Sequence, residues 1–483
     1  MKELSKSLAV QQWPYYGEKP GRSSHSTSLK PLTKIHLESV EGMAGGPNLR
    51  APVWPSGFSA TDARSVELCC DRVFPVPLSR GDSVSYLSRM RERIAQEIDE
   101  ISVDCVLFPA TPHVPWDLLV AMEFASRGVP VLVIRGTQLT NRVIVSQFPF
   151  DFRAGRFQPR PTLVDSLSTA TDSLDRDSPR LASAKALNRQ ASLSSVRFLV
   201  FEPLRLLRSV AHSLESVFFG RVDGGKKISR FPSSSREEHY WNFMRGSTFV
   251  LLRLRSIAHM FQRSRELSRL SSFPEGNYVY FSLHYQPEQN TDPEASDFRF
   301  QVAAVTELRR LLDEEGLEDL VIAVKDHPRQ FSGGGDVRSG NFRPRGFYES
   351  LSKIPRTLVI GTDVGSKELI EGSSLTVTAN GSASWEALRL GKPALTFVST
   401  WHSDCLAAPS LARLRESGRS LNDLIGMSCD EVRSSLDDFL TSEDISIPGA
   451  FKGPHADLVT NPQLAEEMAR CLAAMIGRVA ETL

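Results

Sequence analysis

Apolar and polar residues fall into blocks along this chain, and the blocks predict two β-α-β regions separated by stretches that lack the pattern. The run from Asp104 to Phe108 and the run Val129-Pro-Val-Leu-Val-Ile134 are short and almost continuously apolar. Leu118 to Arg127, stopped by Gly128, has helical spacing between them. Apolar strands around one helix indicate a parallel sheet covered on both faces. Upstream, Ser83 is positioned as an N-cap, and Tyr86, Leu87, Met90, Ile94 and Ile98 recur at helical spacing, predicting a helix over Ser83 to Ile101.

The alternation returns at Asn277. Strands are predicted at Tyr278–Leu283, Leu320–Lys325, Thr357–Gly361, Ser374–Thr378 and Pro393–Phe397. Helices are predicted at Phe298–Glu314, Phe347–Ile354, from Ser366, and at Ser384–Leu390, with Gly316 and Gly391 as stops. The segment from Pro462 to Leu483 reads as an amphipathic helix with Leu464, Met468, Leu472 and Ile476 on one stripe. These elements predict an α/β protein with two Rossmann-like, doubly wound domains. Residues 1–60 are rich in Pro, Gly and Ser and read as irregular; residues 151–196 read as a linker.

Composition narrows the function classes. The chain has 483 residues and balances 57 Lys+Arg against 57 Asp+Glu, which argues against a general nucleic-acid binder. No apolar run reaches the roughly 18–20 residues a membrane span needs, and Met1 to Pro20 lacks the apolar stretch of a secretory signal. The six cysteines (69, 70, 105, 405, 429, 471) show neither CxxC nor zinc spacing, so reduced thiols in a cytoplasmic protein are expected. Residues 197–270 are helical in period and hold fourteen Lys/Arg against six Asp/Glu. Two readings stand for them: a helical insertion with a solvated basic face, or a contact with an anionic inner-membrane surface or acidic polymer, worth about 1 kcal/mol per basic side chain.

The candidate chemistry lies where apolar runs end. In an open parallel sheet, ligands bind outside the carboxyl ends of the strands. Thr378-Ala-Asn-Gly-Ser-Ala-Ser-Trp-Glu386 passes from strand through small residues into a helix. There Gly381 admits a ligand to the backbone, Ser382 and Ser384 are placed to cap the helix, and Glu386 is placed to accept from a sugar hydroxyl. An ordinary Ser/Glu capping arrangement is the alternative. In Lys325-Asp-His-Pro328, His327 is placed to donate to a phosphate; a structural role is the alternative. Arg329, and beyond it Arg343 or Arg345, suit phosphate recognition, and Tyr348 either stacks on a base or packs. His284 and Glu288 follow the first strand of the second domain, and His113 and Asp117 occupy the matching loop of the first. A His or carboxylate across a cleft is what activation of an acceptor hydroxyl requires; the alternative is that Asp117 caps its helix. No Walker loop or GxGxxG is present and no Asp-x-Asp follows the end of a predicted strand, so no metal ligands and no cofactor are expected.

The combination of Tyr280-Phe-Ser-Leu-His-Tyr-Gln-Pro-Glu288 with Thr291, Val324-Lys-Asp-His-Pro328, and Asn380-Gly-Ser-Ala-Ser-Trp-Glu-Ala-Leu388 with Gly391-Lys-Pro393 resembles the bacterial capsular polysaccharide biosynthesis proteins, Kdo-transferring enzymes among them. The resemblance covers roughly residues 276–400; Lys325-Asp-His-Pro328 departs from the family's usual Lys-Glu-His-Pro. It implies two facing Rossmann-like domains of the GT-B type and a metal-independent glycosyl transfer. His327 would then contact the donor phosphate, and Ser382, Ser384 and Glu386 would line the donor pocket.

The resulting expectation divides the chain into an irregular segment (1–60), an acceptor-side domain (61–150), a linker and basic helical insertion (151–275) and a donor-binding domain with its terminal helix (276–483). His113, Asp117, His284 and Glu288 are the catalytic candidates. Lys325, His327, Arg329, Gly381, Ser382, Ser384 and Glu386 are the donor-binding ones. Expected partners are a nucleotide sugar and a polysaccharide or glycolipid acceptor. A non-catalytic component of a polysaccharide synthesis or export assembly, or a nucleotide-sugar epimerase, is the alternative.

Overall fold

The computed structural model describes residues 91–148, 273–441, 447–448 and 462–481, apart from short gaps within these ranges, the longest being 331–341. The expectations for residues 1–60, for the insertion up to residue 272, for the start of the helix at Ser83 and for Arg329 lie outside the described residues. The described part of that helix carries Ile94 and Ile98 buried on one side.

Two sheets organise the chain. The C-terminal one has five strands: β4 (Tyr278–Ser282), β5 (Val321–Lys325), β6 (Thr357–Ile360), β7 (Leu375–Thr378) and β8 (Ala394–Thr396). They lie in the order β6-β5-β4-β7-β8, and every pairing is parallel. Parallel neighbours need crossovers, which are supplied by α2 (Gln301–Glu314), α3 (Phe347–Ser352), α4 (Ser366–Gly372) and α5 (Ala383–Arg389). The strands are apolar on both faces because helices cover both. One layer holds Val279, Phe281, Val324 and Val377 against Val305, Leu308 and Leu312 of α2. The other holds Tyr278, Tyr280 and Ala323 against Leu369, Trp385 and Leu388. Gly316 and Gly391 stop their helices with φ of 70° and 69°, a left-handed backbone that glycine adopts without steric cost. Beyond β8, α6 (Leu411–Glu416) and α7 (Leu421–Ile425) add Leu411, Leu414, Leu421 and Leu424 to the first layer, and α8 (Cys429–Thr441) adds Val432, Leu436 and Phe439 to the second.

The N-terminal sheet is mixed. β1 (Val106–Phe108) pairs in parallel with β2 (Val131–Gly136) around α1 (Pro115–Ser126), as the apolar runs predict. β3 (Arg142–Phe148) then returns antiparallel to β2, and β9 (Ile447–Pro448) joins antiparallel at the edge. The two-way β2–β3 hairpin differs from the all-parallel expectation, and its cause is the short loop after Gly136, too short for a helical crossover. The terminal helix α9 (Pro462–Glu481) differs as well. The sequence groups it with the C-terminal domain, but its buried Met468, Leu472 and Met475 pack against Ile134 and Val143 of the N-terminal sheet. Among the described residues no helix is long and apolar enough to cross a membrane.

Candidate functional site

The strand order reverses between β4 and β7. β5 and β6 follow β4 on one side, whereas β7 and β8 lie on the other. A crevice opens at such a point because the loops leaving the two central strands diverge. Here those loops are 283–292 and 379–382, two of the three polar stretches the sequence singles out.

His284 lies directly in this crevice and is buried. Its Nε2 is 2.8 Å from Thr378 Oγ1, and the Asn380 backbone N–H donates to it at 3.3 Å. Since Nε2 accepts, the ring proton is on Nδ1, which faces the Asn290 amide at 3.2 Å. Asn290 Oδ1 has no partner, so exchanging the oxygen and nitrogen of that amide gives Nδ1–H an acceptor. Burial, with His327 and Arg343 adding to it, presses the His284 ring down to about 3, so it is neutral at physiological pH. Both nitrogens are engaged within the protein. That makes His284, one of the expected catalytic residues, a tie between the β4 and β7 loops. Glu288 is half-buried, and its backbone is tied into a turn with Thr291 and Asp292.

The Lys325-Asp-His sequence serves two ends. The Lys325 ammonium is buried and donates to Ser366 Oγ at 3.0 Å. Asp326 is buried too and forms a two-bond pair with Arg343, Nε to Oδ2 at 2.7 Å and Nη2 to Oδ1 at 2.9 Å. Tyr348 donates to the same carboxylate at 2.7 Å. Burial alone would raise the Asp326 carboxyl, but Arg343, Tyr348 and the His327 N–H overcome it and hold the group below the usual carboxylate range. Arg343 also donates to Gln286 Oε1 and to the His284 carbonyl, both at 2.8 Å. Gln301 closes the network by bonding Gln286 and both backbone groups of His284. Arg343 and Tyr348, candidates for phosphate and base, are therefore framework residues: their polar atoms are spent on Asp326 and on the β4 loop. His327 is half-buried, its ring 6.0 Å from that of Tyr285.

The turn into α5 also departs from simple capping. Ser382 makes no side-chain cap; its exposed hydroxyl donates to Glu386 Oε1 at 3.0 Å. Ser384 is fully buried and donates back to the Gly381 carbonyl at 2.9 Å, with His402 Nε2 also 2.9 Å away. The Ser384 side chain is thus directed into the core, away from the pocket wall where it was expected. Ser382, at the N-cap position, therefore leaves the first-turn N–H groups of α5 without its side chain as an acceptor. Burial raises the Glu386 carboxyl, while Ser382, Arg389 and Lys325 draw it back. His402, which the sequence reading passed over, is buried between Trp385 and Trp401, and burial presses it down to about 3. Nothing in the Trp-His-Ser spacing of 401–403 distinguishes it from a loop.

His113 and Asp117 lie on the other unit. The His113 ring Nδ1 is 2.6 Å from the Thr111 carbonyl. Asp117 stands in the first turn of α1, and burial pushes its carboxyl up to about 7. Because β1 and β2 are parallel neighbours, the 109–117 loop shares its sheet edge with the end of β2. That edge meets the C-terminal unit: Arg135 pairs with Glu294 at 3.1 Å, and Trp401 donates to Gln138. Among the described residues no group of three or more His, Cys, Asp or Glu side chains is arranged to hold a metal ion.

No protein-family model matches the sequence, and no curated protein matches it. Among solved structures, the chain is similar to the wall teichoic acid polymerase TagF with bound CDPG, at 13% identity and a TM-score of 0.22. That match covers 47% of this chain and 46% of TagF, less than half of either. The chain is also similar to KpsC of Thermosulfurimonas dismutans, a β-Kdo 2,4 transferase, at 12% identity and a TM-score of 0.25, covering 65% of this chain and 74% of KpsC. The UDP-GlcNAc 2-epimerase of Methanocaldococcus jannaschii matches at 12% identity and a TM-score of 0.23 over 83% of each chain. At these TM-scores the likenesses carry no weight for function.

Proposed function

We propose that this chain is a GT-B type glycosyltransferase that moves a sugar from a nucleotide donor to a surface polysaccharide or glycolipid. The observation that carries the reading is the switch point of the C-terminal sheet. There the loops of β4 and β7 diverge at the carboxyl edge, and the N-terminus of α5 has no side-chain cap. A switch-point crevice beside helix N–H groups suits a diphosphate or sugar phosphate.

The residues divide into two sets. His284, Ser384, Asp326 and Arg343 hold the loops in shape. His327, Glu386, Ser382 and the Gly381 backbone stand on the loops at the carboxyl edge and would meet a donor, with Glu288 nearby on the β4 loop. Asp117, whose carboxyl is half protonated near neutrality, suits proton removal from an acceptor hydroxyl. The α5 dipole and His327 would stabilise the departing phosphate. Metal-independent transfer rests on the resemblance of residues 276–400 and on the lack of an Asp-x-Asp motif at the end of any predicted strand. The capsular or lipopolysaccharide-type acceptor and a peripheral place on the inner membrane are part of the same proposal and rest on the resemblance of residues 276–400 and the basic 197–270 region.

The test is turnover of CMP-, UDP- and GDP-linked sugars by purified protein, with and without acceptor glycan. Nucleotide release that depends on acceptor supports transfer. Isomerisation of the donor without acceptor favours an epimerase, and binding with no turnover favours a non-catalytic component.

A further inference from the structure

Glu294 lies where three parts of the molecule meet. It follows the β4 loop, is 4% exposed, and spends its carboxylate on three donors. Oε2 accepts from Arg135 Nη2 at 3.1 Å, and Arg135 belongs to β2 of the N-terminal sheet. Oε1 accepts from Gln289 Nε2 at 2.8 Å, inside the β4 loop. Oε2 also accepts from Asn380 Nδ2 at 3.4 Å, at the start of the β7 loop. Asn380 in turn donates its backbone N–H to His284, and Gly381 is the next residue. Exchanging the Asn380 amide atoms would set its oxygen against the carboxylate, so the charge on Glu294 fixes which way that amide faces. The Asn380 Oδ1 so oriented is buried with no partner, an acceptor left for a ligand hydroxyl or amine.

We infer that Glu294 is a positioning residue that links Arg135 of the N-terminal unit to the Asn380-Gly381 turn, so that docking of the two units sets the geometry of the donor side. This rests on the donor-pocket reading only for what the turn binds; the linkage is a property of the contacts. A buried carboxylate needs its cation and its hydrogen bonds together. Removing Arg135 leaves Glu294 under-compensated, and the carboxylate then draws on Gln289 and Asn380 or turns towards solvent. Either change shifts Asn380.

The experiment uses the full chain and the variants R135A, R135K, E294A, E294Q and the double variant R135A/E294A. Amide hydrogen exchange over residues 378–386 and calorimetric titration with CMP, UDP and GDP are measured on each. R135A is expected to speed exchange at Asn380 and Gly381 while leaving Phe281 and Val324 protected. It is also expected to weaken nucleotide binding about tenfold, an indirect effect smaller than that of removing one partner of a buried pair at the binding interface itself. R135K, which keeps the charge, should restore part of both, and the double variant should be no worse than the poorer single one. E294Q keeps the shape and covers the case in which E294A does not fold. Unchanged exchange in R135A and E294Q, or effects that add in the double variant, would overturn the linkage. If the wild-type protein binds none of the three nucleotides, the donor-pocket reading falls, and the exchange of residues 378–386 decides the linkage alone.

Discussion

A β-carbon placed on Gly381 would fall 2.6 Å from Cε1 of His284 and 2.9 Å from the Thr378 hydroxyl. Glycine is required here by contact and not by its backbone angles. The turn is pressed onto a ring that is itself held on both sides, so neither can give way. Gly381→Ala is expected to destabilise the protein by about 1–3 kcal/mol, the usual cost of overpacking, and to weaken nucleotide binding at least tenfold. Urea unfolding and calorimetric titration check both. Wild-type affinity in this variant would remove the turn from the site.

Arg343 is 0% exposed and holds Asp326 by two bonds. Arg343→Ala leaves a buried carboxylate without its cation, and a loss of about 3–5 kcal/mol is expected. Arg343→Lys should recover little, because an ammonium cannot reproduce the fork that reaches Asp326, Gln286 and the His284 carbonyl together. Denaturant midpoints of the two variants decide this; a stable Arg343→Lys protein would mean that charge alone suffices.

Ser382 and Ser384 should separate cleanly. Ser384→Ala removes the hydroxyl that meets His402 and the Gly381 carbonyl inside the core, at an expected cost of about 1–3 kcal/mol. Ser382→Ala removes an exposed hydroxyl, with an expected stability change within about 0.5 kcal/mol, but frees Glu386 and is expected to alter donor binding. Thermal unfolding and nucleotide titration of both proteins provide the comparison, and equal stability losses would contradict the burial of Ser384.

Two buried imidazoles make stability depend on pH. His284 and His402 stay neutral in the fold down to about 3. In the unfolded chain each takes up a proton below about pH 6.5. Between those values the unfolded state binds more protons, so stability is full above about pH 6.5 and declines as pH falls through the window. At pH 5 the decline is about 2 kcal/mol per ring. Urea midpoints measured from pH 7.5 to pH 5 should fall accordingly, and His402→Gln should flatten the slope by one ring's share. A flat profile for the wild type would show that the rings are charged or exposed.

The C-terminal sheet was legible because each of its strands is a continuous apolar run with a helix-length segment behind it, and the polar residues gather where the runs stop. The roles within those loops were not. Asp326 and Arg343 are seventeen positions apart across the Gly-rich stretch at 332–335, and no spacing rule pairs them. Both Lys325 and Ser384 look surface-directed by composition, yet tertiary packing buries them. His402 is hidden for the opposite reason: its partners, Ser384 and two tryptophans, come from two separate elements. On the N-terminal side, β3 is not legible because its apolar run, Val143-Ile-Val145, is only three residues long and is followed by Ser146 and Gln147.

Strand order also dictates how the C-terminal unit can be made. β4 is the first of its strands to be synthesised, yet it lies in the middle, with β5 on one side and β7 on the other. Until Thr378 has been synthesised and can pair, one edge of β4 presents unpaired backbone groups flanked by Val279 and Phe281, an apolar edge of the kind that adds foreign strands. A chain cut between Ile360 and Leu375 would keep three of the five strands and expose that edge permanently. Such a fragment should aggregate, whereas one ending after β8 would close the sheet.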